Sequence, residues 1–292
     1  MKIGLTLLLS HDLPFSGDFL AFVARLAEEL GFDSIWLPEH VVIPASYEST
    51  YPYTKEGLPG DDQWPDPLAC LTYAAAVTKK LKLGTCVAIL PEHNPLELAK
   101  ELATIDVLCN GRLLYGIGTG WLREEGEALG IEWKTRGART DEAIAIMRGA
   151  WSGDAFSFEG KLFRFAAVKC SPKPPRRTIP IIYGGMSPAA ARRAARLCDG
   201  FFPVGTPDEL RHALQRLREE CAAIGRNPDT VEITCATANL PDFKSRDARA
   251  WVDEVAALGA HRVLVPLGYM NLSYDRDSLT NGLTGVAKAL GL

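Results

Sequence analysis

A (β/α)8 barrel of the TIM type is the α/β fold predicted by three observations. Eight apolar runs of strand length alternate with amphipathic helical stretches along the chain. Helices end at glycines where the chain turns back toward a strand. The motifs richest in Glu, His and Gly fall where predicted strands end, and in a barrel these ends share one mouth. Eight consecutive right-handed βα units close most simply into a barrel; a doubly wound open sheet is the second solution. The 292 residues fit one barrel, so 1–292 is read as a single domain.

Strand one is Lys2 to Leu9, too short an apolar run for a signal peptide and followed by no small-residue cleavage pattern. Helix Asp18 to Leu30 places Phe19, Phe22, Val23, Leu26 and Leu30 at helical spacing, with Arg25, Glu28 and Glu29 elsewhere around the axis and Gly31 as its stop. Strand two, Ser34 to Leu37, leads into a long insertion, Val41 to Asp66, before helix Pro67 to Lys79. Strand three, Leu81 to Ile89, precedes helix Pro95 to Leu108; strand four, Arg112 to Gly118, precedes helical pieces Glu124 to Leu129 and Thr140 to Trp151. A second insertion, Ala155 to Thr178, holds the hairpin pattern FSFEGKLFRF with a Glu159-Gly160 turn, then the Pro-rich SPKPPRRTIP. Strands five to eight are Ile179 to Gly184, Gly200 to Pro203, Val231 to Ala236 and Arg262 to Val265. Their helices are Pro188 to Leu197, Pro207 to Ile224, Asp247 to Leu258 and Ser278 to Leu290, and AIGRNP and ALGAHR repeat the glycine stop. The first insertion, aromatic and on the catalytic face of such barrels, is read as a substrate lid; the second is read as a bracing element.

Composition narrows the function. The chain is 47% hydrophobic and 23% charged with net charge −4, and its basic residues form no stripe that would track a phosphate backbone, which argues against nucleic acid as a partner. No apolar run reaches the length of about 18 residues needed to span a bilayer. Seven cysteines without a C-x-x-C pair predict reduced, mostly buried thiols and a cytoplasmic setting. No H-E-x-x-H or similar spacing points to a metal.

Four features stand at strand ends. WLPEHVVIP ends strand two with Glu39 and His40, and CVAILPEHNP ends strand three. GRLLYGIGTGW ends strand four with alternating glycines, unlike the dinucleotide fingerprint, whose third glycine falls three residues after the second and opens a helix. IIYGGMSPAAARRAA ends strand five with Gly184, Gly185 and Ser187 directly before a helix, where backbone N–H groups and a serine hydroxyl suit a phosphate and equally make a good helix start. His40 alone reads also as a packed histidine and Glu39 as a surface acid or helix cap. Trp121 reads as a pocket wall, the tyrosines at 47, 51 and 53 as cover for apolar surface, and EGEALGIEWKTRGARTDEAI as a solvated helix with bracing ion pairs, Arg136 and Asp141 included.

GFDSIWLPEHVVIP, LGTCVAILPEHNPLELAKELATIDVLCNGRLLYGIGTGWLREE, RGARTDEAI and IPIIYGGMSPAAARRAARLCDGF, in this order over nearly the whole chain, resemble the bacterial luciferase-like superfamily, specifically its branch of coenzyme F420-dependent oxidoreductases. The resemblance implies a barrel holding a flavin-type ring across its mouth, usually in a homodimer. Gly118, Thr119, Gly120 and Trp121 match the loop that lines the cofactor. Val87, Ala88 and Ile89 match a strand-three bulge that backs the ring and often contains a non-prolyl cis peptide. Tyr183, Gly184, Gly185, Met186 and Ser187 match the stretch that takes the cofactor phosphate.

Glu39 and His40 match the acidic residue and histidine of many relatives, with His40 the better proton-transfer group; some relatives carry Asp at the Glu39 position. The implied chemistry is hydride transfer between deazaflavin and a small organic substrate, the cofactor doing the electronic work. The nearest rival is an FMN-dependent monooxygenase that uses molecular oxygen, a reaction deazaflavin does not support because carbon replaces the nitrogen that permits it. A non-catalytic flavin-binding barrel is the rival outside enzymes. A barrel aldolase or isomerase would need a lysine or carboxylate pair at strand ends, and none stands out.

Overall fold

In the computed structural model, which describes residues 1–7, 15–52, 58, 64–237, 240–243, 247–270 and 272–292, eight parallel strand positions close into a ring. Seven begin at β1 (Lys2–Thr6), β2 (Ser34–Leu37), β3 (Lys82–Thr85), β5 (Leu113–Gly118), β8 (Ile181–Gly184), β11 (Glu232–Thr237) and β12 (Arg262–Pro266). The remaining one is split into β9 (Gly200–Phe202) and β10 (Val204–Gly205), and β4 (Ala88–Ile89) continues β3. The ring closes where β12 pairs with β1, Lys2 opposite Arg262 through Thr6 opposite Pro266, and where β9 pairs with β11.

The predicted strand three is two pieces because the Cys86–Val87 peptide is cis, and β4 then pairs with β5, Ala88 opposite Ile117. Leu8 and Leu9 of the predicted first strand, Tyr53 and the centre of the predicted lid lie outside the described residues.

Helices follow their strands, and polar caps set their starts. Ser16 caps α1 (Gly17–Glu29), Asp66 caps α2 (Pro67–Val77), Asn94 caps α3 (Pro95–Leu108), Ser187 caps α6 (Pro188–Leu197), Thr206 caps α7 (Pro207–Ala223) in a capping box, and Asp275 caps α9 (Arg276–Leu290). Gly31, Gly225 and Gly259 take the positive φ expected of helix stops.

Between these lie the short helix α4 (Arg123–Ala128) and, later in the chain, α8 (Asp247–Ala257). Helix α5 (Arg136–Ser152) starts four residues before the predicted Thr140, directly after a 3-10 turn at Trp133–Thr135. Gly137 masked that start because glycine is a poor helix former; a Cβ there would stand 2.5 Å from Arg193 Nη2 and displace that guanidinium.

The insertion before the fifth barrel strand is a hairpin, β6 (Phe156–Glu159) with β7 (Arg164–Val168). Its turn lies later than the predicted Glu159-Gly160: Glu159 pairs with Arg164, and the Gly160 N–H donates to the Phe163 carbonyl at 2.8 Å. The Glu142 carboxylate of α5 accepts the Lys161, Leu162 and Phe163 N–H groups and braces this turn.

The barrel interior is plugged rather than hollow. Trp36 is fully buried with Leu114, Ile182, Phe202 and Leu264, and its Nε1–H donates to Ser34 Oγ at 2.8 Å. Gly84 makes room for it: a Cβ there would lie 2.3 Å from the indole. Beneath it Arg262, fully buried, places its guanidinium 5.6 Å from the indole ring and donates to Asp33 at 2.7 Å. Outside the ring a second, larger core joins strands to helices through Leu5, Ile35, Leu83, Tyr115 and Phe201.

Candidate active site

At the end of β2, Glu39 and His40 are both buried, 4% and 9% exposed, and they serve different partners. Neighbouring residues of an extended chain point to opposite sides. His40 Nδ1 lies 2.6 Å from Glu125 Oε2, whereas Glu39 Oε2 accepts the Ile89 N–H at 2.6 Å and meets His93 Nε2 at 3.0 Å. The sequence set weight on Glu39 standing beside His40; the carboxylate on His40 comes instead from α4, in the segment read as a solvated helix. That reading is wrong for Glu125, which is 1% exposed.

Two copies of Pro-Glu-His, at 38–40 and 91–93, converge here from the second and third barrel positions. The cross-pairing of Glu39 with His93 raises the imidazole's pKa: burial opposes the charge, and the hydrogen bond and charge of Glu39 outweigh it. The pKa of Glu92 is raised as well, which favours its neutral form rather than its charged one. Burial, then the charges of Glu125 and Glu39, push it up to about 9, so it is a neutral acid at pH 7, with Oε2 buried and unpartnered. Glu92, His93 and Glu125 are the site residues that periodicity missed; the repeated Pro-Glu-His was the available signal for the first two.

Aromatic rings wall this cluster. Trp64 and Trp121 meet His40 edge-on at centroid distances of 4.8 and 5.9 Å, and Tyr47 and Tyr51 stand 5.9 and 5.1 Å from Trp121. The loop that follows β2 is stitched to α4. Glu125 Oε1 accepts the Val41 and Val42 N–H groups at 2.7 and 3.2 Å. Glu124 accepts the Glu48 and Ser49 N–H groups and the Ser49 hydroxyl, the last at 2.7 Å; these bonds, the hydroxyl first, hold its pKa down to about 2. Glu124→Ala is therefore expected to speed amide exchange at Glu48 and Ser49 at least tenfold while leaving the melting temperature within a degree or two, since it frees a loop and uncovers no core. Unchanged exchange would show that the carboxylate does not hold the loop.

The glycine-rich strand ends lie beside Val87. A Cβ on Gly118 would come 2.9 Å from Val87 Cγ2, and one on Gly184 2.7 Å from its Cγ1, so both glycines keep backbone close around one side chain. Ala88 and Ile89 are buried, at 1% and 6% exposed, with Ala88 in the strand–helix core, whereas Val87 is only partly buried. Gly120 has φ +80 and packs on Ile89.

Thr119 and Arg193 lie beside the Tyr183 hydroxyl, and Arg193 donates to Asp141 at 2.6 Å. Arg136 lies over the Trp133 ring, and its Nε is buried without a partner. Its pKa is lowered by burial and then by the charge of Arg193.

Gly185 has φ +129, and its N–H donates to the Phe202 carbonyl, so this amide is not free for an anion. Met186 is partly buried and Ser187 exposed. Ser187 Oγ accepts the Ala190 N–H at 3.1 Å, which leaves its own proton to donate. A cavity of about 410 Å³ opens at the opposite end of the barrel among Lys82, Arg112, Asp199, Glu232 and His261, away from all of these motifs. Among the described residues no group of His, Cys, Asp and Glu is arranged to hold a metal ion, and no helix is long and apolar enough to cross a membrane.

Comparison with known proteins locates this arrangement. The chain is 30% identical over 260 residues, 81% of its length and 92% of the relative's, to an uncharacterized protein of Mycobacterium tuberculosis. It is 32% identical over 189 residues to the F420-dependent glucose-6-phosphate dehydrogenase of Amycolatopsis mediterranei, covering 63% of this chain and 52% of that one. It is 31% identical over 246 residues to the FMNH2-dependent dimethylsulfone monooxygenase of Pseudomonas putida, covering 82% and 62%. Two solved structures share the fold over 99% of this chain and 98% of theirs: a monooxygenase from Streptomyces bottropensis, TM-score 0.78 at 23% identity, and the coenzyme F420-dependent tetrahydromethanopterin reductase of Methanopyrus kandleri, TM-score 0.76 at 15%. The model of the luciferase-like monooxygenase family matches residues 9–280, and the chain belongs to that family.

Proposed function

We propose that this chain is an oxidoreductase that uses coenzyme F420 to transfer a hydride to or from a small organic substrate, with His40 as the group that exchanges the accompanying proton. The observation that carries the reading is His40 itself: a buried imidazole at the barrel mouth, held by Glu125 at 2.6 Å and walled by Trp64 and Trp121. Imidazole exchanges protons near neutral pH in either direction. A bound deazaflavin supplies a hydride donor or acceptor.

The residues present fit such a group. Gly118 and Gly184 lie so close to Val87 that neither has room for a Cβ, and this tight cradle of backbone around one side chain is the surface a planar ring would lie on. The Thr119, Gly120 and Trp121 loop and the Ala88 and Ile89 backbone continue its walls. Arg136 and Arg193 bring two guanidinium groups near Tyr183, one with an orphaned buried N–H, which suits an anion beside the Tyr183 to Ser187 turn. Glu39 keeps a supporting part: it anchors Ile89 and His93. The enzyme is read as a cytoplasmic homodimer.

FMN with molecular oxygen is the second reading, favoured by the wider coverage of the FMNH2-dependent relative. Titrating the protein separately with F420 and FMN, and following oxygen uptake during turnover, separates the two. Tighter F420 binding without oxygen uptake supports the proposal; FMN preference with stoichiometric oxygen uptake overturns it. Replacing Ser187 by Ala is expected to weaken cofactor binding by about 1 to 2 kcal/mol if its hydroxyl donates to phosphate. Adding Gly185→Val should weaken it further, because φ +129 is strained for valine. Equal dissociation constants for wild type and double variant would remove the phosphate assignment.

A further inference from the structure

We infer that Glu125 is a positioning residue that fixes the tautomer of His40 and, with the same carboxylate, fastens the start of the loop that follows β2. The inference rests on the proton-exchange reading of His40. Glu125 is 1% exposed and comes from α4, 85 residues away in sequence. Its two oxygens have separate duties. Oε1 accepts the Val41 and Val42 N–H groups, which are obligatory donors, and Oε2 faces His40 Nδ1.

A carboxylate only accepts, so the proton of neutral His40 is held on Nδ1, and Nε2 becomes the basic nitrogen available for exchange. The amides that Oε1 ties down are those of the two residues directly after His40. Order in the loop and order in the imidazole are thus set by one side chain.

Glutamine at 125 separates this from a packing role. Its shape is that of glutamate, and the two backbone donors fix its carbonyl oxygen at the Oε1 position. The amide NH2 must then face His40 and donate to Nδ1, which moves the ring proton to Nε2. In the protein without cofactor, Glu125→Gln is expected to invert the tautomer seen in the 15N shifts of the His40 ring while amide exchange at Val41 and Val42 stays within threefold of wild type. With cofactor and substrate, its kcat should fall 10- to 1,000-fold with KM nearly unchanged. Glu125→Ala should lose both functions, with exchange at Val41 and Val42 at least tenfold faster. Glu125→Asp should restore the wild-type tautomer if its shorter carboxylate still reaches Nδ1.

Wild-type ring shifts in Glu125→Gln, or wild-type exchange at Val41 and Val42 in Glu125→Ala, would overturn the inference. Failure of the proton-exchange reading shows differently: His40→Ala would then turn over normally, while the tautomer inversion and loop exchange would still decide the role of Glu125.

Discussion

His40→Ala is expected to turn over 100- to 10,000-fold more slowly than wild type, with cofactor affinity within a few-fold. The size follows from the usual worth of a positioned acid–base group. The small change in affinity follows from placement: the imidazole is held by Glu125 and aromatic edges, whereas the proposed cradle is built by Val87, Gly118 and Gly184.

Some stability should go too, because Glu125 Oε2 loses its donor inside the protein, and an unpaired buried acceptor costs about 1–3 kcal/mol. Rate and stability must therefore be measured on one preparation, the rate by single-turnover hydride transfer. A variant that transfers hydride at the wild-type rate in the chemical step removes His40 from the mechanism. A variant that loses stability, affinity and rate together marks His40 as packing.

The second large effect is on stability and has a definite pH dependence. Glu92 titrates at about 9 in the folded chain, against an ordinary 4.5, because burial and then the charges of Glu125 and Glu39 disfavour its anion. Below about pH 4.5 folded and unfolded chains both carry the proton. Between about 4.5 and 9 only the unfolded chain releases it, so stability falls as pH rises, by about 1.4 kcal/mol per pH unit. Glu92→Gln has no proton to lose and keeps the shape. The variant should gain on wild type as pH rises, by about 3 kcal/mol between pH 5.5 and pH 8. Urea unfolding at the two pH values checks this. Equal gains at both would mean that Glu92 ionises normally.

Much of the fold was legible because local chemistry specifies it. Asp66, Asn94, Ser187 and Thr206 each precede a proline that opens a helix, and all four cap through their side chains. Gly31, Gly225 and Gly259 end helices through a φ that other residues adopt reluctantly. Hydrophobicity did not mark the break in strand three, since Leu81 to Ile89 is apolar on both sides of the cis bond; the resemblance did, through its bulge at Val87 to Ile89.

Gly4 and Gly84 looked like ordinary strand residues, and Gly116 was legible only as the first of three alternating glycines. Their reason is steric and distant: Trp36 presses on the first two, and a Cβ on Gly116 would strike the Thr85 carbonyl at 1.9 Å. The site divides the same way. Glu39 and His40 were visible at a strand end, but their partners were not, because a pairing across 85 residues leaves no periodicity in either segment. Glu125 in particular sits in a run of charges, where only the fold separates the buried carboxylate from the solvated ones.

The plug of Trp36 over Arg262 makes the barrel a room with one door. A barrel closed by packed side chains has no back exit, and with Trp36 and Arg262 fully buried the floor admits nothing from the far end. Whatever binds at the proposed site must come and go by the rim that Trp64, Trp121 and the loop after β2 border.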